Sequence, residues 1–281
     1  MRFVSSSRKV VFAVGADWLE LPENDRLYAA ALEQRGVLVQ VAAWNGPNQH
    51  VFGTADLVVL RATWDYHLAP DAFAAWLNAR QAGGVRLANP YDLVRWNMDK
   101  RYLSDLAERG ALLPRQWLVN SESELAQVLA ANSLEEAVLK PTIGASGHGV
   151  RLVRAATPVN EPLLVQEFVP EIRSAGQSSL VFFGGEFSHA VRLMPRPGEF
   201  RINKAFGGEV LPHEPPAEEL AAARQIVAML PAEPLYLRVD GVTTPRGFVL
   251  LEVEAIEPGL FITAAEGSAE RFAAATLKWL G

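Results

Sequence analysis

Residues 138–150 read VLKPTIGASGHGV, an apolar strand ending on Lys140 and then a loop of small residues at Gly144, Ala145, Ser146, Gly147 and Gly149. Glycines let backbone N–H groups approach an anion closely, and a lysine at the strand end can reach the same anion. The stretch reads as a phosphate cradle, with a flexible turn between two strands as the other reading. It is not a P-loop, because no Gly-Lys-Ser/Thr follows. Nor is it the dinucleotide fingerprint: its spacing is GxxGxG, and a strand is expected after it where that fold needs a helix.

Downstream, Leu237–Val242 (LRVDGV) and Phe248–Ala255 (FVLLEVEA) form a predicted hairpin that carries three acids. Glu252 and Glu254 are two residues apart and share a strand face, and Asp240 can lie opposite them on the paired strand. Three unpaired carboxylates on buried strands would repel one another or take up protons. A hard divalent cation relieves this, and magnesium, which favours a few carboxylates together with phosphate oxygens and water, suits the set. Arg238 faces the same way as Asp240 and can meet charge developing on a transferring phosphoryl group. The other reading is an exposed face with solvated acids, against which Leu250, Leu251, Val253 and Ile256 argue for burial. Between the two motifs, Leu163–Ile172 (LLVQEFVPEI) is an apolar strand ending in a turn at Pro170. Its end can pair adenine with backbone groups at Glu167 and Val169 and ribose hydroxyls with Glu171. Taken without its neighbours it reads as a plain core strand.

Upstream, strands at 9–15, 37–43 and 56–61 alternate with helices at 23–35 and 71–80, which predicts an α/β lobe with a mostly parallel sheet to about Pro90. One helical pattern runs from Asp92 to Gly110. Beyond it a strand at 116–119, a helix at 121–131 and a strand at 137–140 lead into the glycine loop. The remainder is strand-rich, with helices at 217–230 and 268–280 and an ordered Pro-rich connector at 211–216. In LRATWDYH, residues 60–67, Arg61 can clamp a carboxylate with Tyr66 as a neighbouring donor, or form a surface ion pair. His148, His189 and His213 lack a metal-ligand spacing and suit surface or supporting roles, and the seven Trp residues suit core packing.

Composition bounds the chemistry. At 281 residues and 49% hydrophobic side chains the chain can bury a substantial core in two or three lobes. With no cysteine, disulfides, thiolate nucleophiles and Cys-ligated zinc are excluded. Asp and Glu (32) outnumber Lys and Arg (26), so a nucleic-acid partner is not expected. The apolar run Val10–Val14 is too short for a signal-peptide core and nothing approaches a membrane span, so no membrane partner and a cytoplasmic location are expected.

Over nearly the whole chain these segments resemble the ATP-grasp superfamily, in its glutathione-synthetase-like branch and nearest the ligases that close the ring in cycloserine biosynthesis. The resemblance implies an α/β (α+β) ATP-grasp fold: a parallel-sheet substrate lobe at 1–90, a central lobe with the glycine loop at 91–165, and a metal-bearing lobe at 166–281. The family's phosphate-binding lysines match Lys100 and Lys140, and its flexible loop matches Gly144–Gly149. Its adenine hinge matches Gln166, Glu167, Phe168 and Val169, with Glu171 as the ribose ligand. Its metal ligands match Asp240, Glu252 and Glu254, and its transition-state arginine matches Arg238. The segment FRINKAFGG, 200–208, is similar to the branch's basic loop, so Arg201 and Lys204 would face phosphate, and Asn203 would join Arg61 and Tyr66 at the substrate. Two departures stand out: Glu254 occupies a position where the family commonly has Asn, and GQSSL at 176–180 replaces the acid and Arg usual in glutathione synthetases.

The implied activity is ATP-dependent ligation of a small amino-acid-like carboxylate to an amine through an acyl-phosphate, releasing ADP and phosphate, with ring closure inside one molecule as a variant. ATP and Mg2+ are the implied cofactors, with two ions and Mn2+ as a substitute; a homodimer is open. An ATP-dependent phosphotransferase and a catalytically silent nucleotide-binding protein are the alternatives.

Overall fold

Residues 8–203 and 206–281 are described by a computed structural model in which the apolar strands sort into three sheets. Lys9–Val14 (β1), Leu38–Ala43 (β2), Leu57–Leu60 (β3) and Leu87–Ala88 (β4) form a parallel sheet in the order β2-β1-β3-β4. A parallel sheet needs cover on both faces, which accounts for the unbroken apolar run in β1. Helices Glu23–Glu33 and Ser268–Leu280 cover one face, where the Tyr28 ring stacks between Phe12 and Phe272 with centroids 5.0 and 3.7 Å away. Helix Pro70–Ala82 covers the other with Phe73, Trp76 and Leu77. The last helix of the chain thus completes the first lobe.

Gln116–Val119 (β5), Ala137–Pro141 (β6), Arg151–Val153 (β7) and Leu163–Glu167 (β8) form an antiparallel sheet in the order β5-β8-β6-β7. All of β8 pairs within this sheet, so residues 166 and 167 lie with the central lobe. Gln177–Phe183 (β9), Glu186–Met194 (β10), Glu209–His213 (β11), Tyr236–Thr244 (β12) and Gly247–Glu254 (β13) make the third sheet, antiparallel in the order β11-β10-β9-β12-β13.

Two local expectations are corrected. The single helix expected over 92–110 is two, Tyr91–Met98 and Tyr102–Glu108. The chain breaks because Asp99 is extended (φ −114°, ψ 122°) and the Lys100 N–H donates to Thr142 O at 2.7 Å instead of continuing the helix. Part of the Pro-rich connector is the edge strand β11, where Pro212 is tolerated because an edge leaves one side of the ladder open. Among the described residues no helix is long and apolar enough to cross a membrane.

Candidate active site

Strand pairing builds the acidic cluster. In the β12–β13 ladder Arg238 lies opposite Glu254 and Asp240 opposite Glu252. The register shifts after Asp240, where Gly241 passes under the Phe248 ring so closely that a Cβ would sit 2.3 Å from it. One carboxylate oxygen from each of Asp240, Glu252 and Glu254 lies within 4.8 Å of the others. At that separation each like-charge pair costs roughly 3 kcal/mol at an effective dielectric of about 20. Arg238 offsets part of this. Its Nε and Nη2 donate to Asp240 at 2.8–3.1 Å, its Nη2 also donates to Glu254, and its Nη1 holds Gly259 O at 3.0 Å. Ser179 Oγ, on the neighbouring strand, donates to Asp240 at 2.7 Å. Burial lifts the Glu254 carboxyl to about 7 despite Arg238. Burial also opposes ionisation of Glu252, but Lys100 and Lys140 outweigh it and hold that carboxyl below its usual range. Three hard oxygen donors, with no nitrogen or sulfur among them, fit a magnesium-like cation.

The lysines and the glycine loop meet this cluster. Lys100 Nζ donates to Glu252 at 3.0 Å and to Gly144 O at 2.8 Å, so one ammonium ties the acidic hairpin to the loop. Burial opposes its charge, yet Glu252 holds its pKa above the ordinary lysine value. Lys140 lines the same cavity, pairs with no described carboxylate, and is pushed down by burial to about 8. Within the loop, the N–H groups of Gly144, Ala145, Ser146 and Gly147 donate to no described group. That is the state expected of an anion cradle. Gly147 needs its freedom: its φ is +74°, and a Cβ there would lie 2.9 Å from Asn203 Oδ1. The loop is docked, with Ala145 buried against the first lobe's core and the His148 ring 5.4 Å from His67.

Both motifs open into one cavity of about 710 Å³ between the three sheets. Gln166, Glu167, Phe168 and Val169 line it, as do Tyr66, Asn203 and Arg201. The Val169 N–H has no described acceptor, whereas Phe168 N–H is taken by Glu136 O. Glu167 forms a two-point pair with Arg115 at 3.1 Å.

Several expectations change. Arg61 neither clamps a substrate nor lies at the surface. It is 2% exposed, its Nε donates to Asp25 at 2.7 Å and its Nη2 to Pro258 O at 3.0 Å, and its charge lies near the Tyr236 ring. Glu171 is outside the cavity lining: it opens the short helix Glu171–Ala175, and the next residue, Ile172, a third of a turn round, takes the inward position. Arg201 is held by Glu199 at 2.7 Å and stacks over Phe206, so its charge is shared. Lys204 lies outside the described residues. His189 and His213 are held inside polar networks, and His148 is exposed while also lining the cavity. Two site residues went unread in the sequence. Ser179 sits in the wholly buried strand β9, whose register with Asp240 only pairing reveals. Glu257, a buried acid lining the cavity just past β13, offered only the signal of an acid in the apolar run AIEPGLFI.

The chain is similar to known proteins over most of its length. The family described as prokaryotic glutathione synthetase, ATP-grasp domain, matches residues 106–259, and the D-cycloserine synthetase DcsG N-terminal domain matches residues 10–89. The cycloserine biosynthesis protein DcsG of Streptomyces lavendulae is 32% identical over 275 residues, covering 85% of this chain and 88% of that protein. The crystal structure of D-cycloserine synthetase DcsG superposes with a TM-score of 0.85 at 24% identity, over 97% of this chain and all of the other. The ATP-grasp ligase PsnB, solved with a precursor variant, Mg and ADP, superposes with a TM-score of 0.67 at 15% identity over 97% and 98% of the two chains.

Proposed function

The chain belongs to the ATP-grasp ligases, and from that premise we propose that it joins a small amino-acid-like carboxylate to an amine, within one molecule or between two, through an acyl-phosphate. The observation that carries this reading is the Lys100 bridge, which brings the acidic hairpin within one side chain of the glycine loop. In the proposed reaction a substrate carboxylate oxygen attacks the γ-phosphorus of ATP and ADP leaves. The amine nitrogen then attacks the acyl carbon, phosphate leaves, and the nitrogen loses a proton.

The chain's residues act on this by position and charge. Asp240, Glu252 and Glu254 would hold magnesium, as two ions with manganese able to substitute. The bound metal supplies positive charge that neutralises phosphate oxygens. Lys140, which pairs with no described carboxylate and is pushed down by burial to about 8, is kept charged by an arriving phosphate. The free N–H groups of the 144–147 segment would take phosphate oxygens, Val169 N–H would take adenine, and Arg238 would face the γ-phosphate. The docked loop excludes water from the acyl-phosphate. We place the lobe boundaries at about 90 and 165, a division that the grouping of the strands into three sheets supports, with residues 166 and 167 still pairing in the central sheet. The test is phosphate release from ATP with magnesium and a panel of amino acids and their derivatives. ADP without free phosphate would mark a phosphotransferase instead. Glu252→Ala should lower turnover by a factor on the order of 100 or more; a variant that still consumes ATP at the parent rate removes the metal assignment.

A further inference from the structure

Three consecutive carbonyls just past β13 are each held by a side-chain donor. Trp64 Nε1 donates to Glu257 O at 2.9 Å, Arg61 Nη2 to Pro258 O at 3.0 Å, and Arg238 Nη1 to Gly259 O at 3.0 Å. Two of the donors come from the first lobe and one from the acidic hairpin, so the backbone under Glu257 is fixed from both sides of the cavity.

The side chain on this fixed backbone has no partner. Glu257 is 9% exposed and lines the cavity, yet no described side chain hydrogen-bonds or ion-pairs with its carboxylate. The nearby cations are committed elsewhere: Lys100 to Glu252 and Gly144 O, Arg238 to Asp240, Glu254 and Gly259 O. Glu257 also stands outside the acidic trio, whose members alone bring ligand atoms within 4.8 Å of one another among the described residues. Ionising this carboxyl is costly: burial, and then Glu254 beside it, push it well above the usual carboxylate range, and no described cation makes up that cost. A cation delivered by the ligand relieves it. Tyr66, 4% exposed, lines the same cavity and feels the charges of Glu257, Glu252 and Glu254.

We propose that Glu257 is the recognition group for an ammonium borne by the substrate, which makes the substrate an amino acid or amino-acid derivative and not a simple carboxylic acid. The assignment rests on the ligase reading for the identity of the second ligand, but its test reads binding and not turnover. With magnesium and a non-hydrolysable ATP analogue present, calorimetry compares D- and L-serine with 3-hydroxypropionate, which is the same molecule without its ammonium. One serine enantiomer is expected to bind the parent protein at least tenfold more tightly than 3-hydroxypropionate. Glu257→Gln is expected to abolish that preference while leaving nucleotide affinity within twofold. Equal affinity for the two probes on the parent protein, binding of neither serine enantiomer, or an undiminished preference in Glu257→Gln overturns the assignment; the first two need no variant and so hold even if the substitution perturbs folding. A Glu257-dependent serine preference without phosphate release from ATP by any amino acid of the panel leaves the ammonium site standing and removes the ligase reading alone.

Discussion

Arg61 and Glu252 differ in how far their partners lie along the chain, and that decides how each could be read. Glu252, Glu254 and Asp240 sit on adjacent strands of one hairpin, where a spacing of two fixes a shared face, so their convergence is legible in the sequence. Arg61 finds Asp25 36 residues away and Pro258 197 residues away, and no local pattern announces either. It holds the Glu257–Gly259 segment instead of a substrate. His189 supplies a residue-scale prediction. Its ring is buried between Ser188 Oγ and Leu260 O, and burial pushes its pKa down to about 4. The unfolded chain therefore binds the proton near pH 6.5 while the folded chain refuses it until about 4, so stability present above pH 6.5 is lost as pH falls. Urea unfolding should show about 2 kcal/mol lost through this group between pH 7.5 and 5, absent in His189→Asn. An identical pH slope in the two proteins would remove the assignment.

At the scale of elements, the glycine loop was recognisable from its composition, but its docked state was not. Lys100 Nζ reaches Gly144 O only because the helix expected over 92–110 breaks at Asp99 and swings Lys100 toward the cavity. The periodicity of apolar residues continues across that break, so the pattern concealed it. Pro212 concealed β11 in the same way, since proline argues against a strand everywhere except at an edge. The loop's geometry yields a prediction at Gly147. Alanine would cost on the order of 1 kcal/mol at a φ of +74° and would press Asn203, whose side chain can yield. Gly147→Ala should raise the apparent KM for ATP several-fold with little change in melting temperature. Unaltered ATP kinetics would show that the 144–147 backbone does not bear on the phosphates.

Across the whole molecule, the first lobe and the acidic hairpin are joined by buried polar groups as well as by packing. Asn89 donates to Tyr236 O and Ala255 O at 2.8 Å and accepts from Leu235 N at 2.6 Å, and Tyr236 Oη donates to Leu60 O and Ile256 O at 2.8 Å. Asn89→Ala strands these backbone groups and should cost about 2–4 kcal/mol, lowering the urea midpoint of one transition shared by all lobes. Two separate transitions in the parent protein would show that the junction is weaker than its hydrogen bonds imply.

Most of the order of elements, the parallel first sheet, the glycine loop after β6 and the convergence of the three acids were determined by the sequence itself, because each rests on periodicity or spacing within about twenty residues. Only the tertiary structure decided that Arg61 is interior, that Glu171 lies outside the cavity, that Ser179 positions Asp240, and that Glu257 stands unpaired beside the first lobe. Those outcomes depend on which side chains meet across lobes, and burial and pairing between residues a hundred or more positions apart leave no periodic trace along a chain.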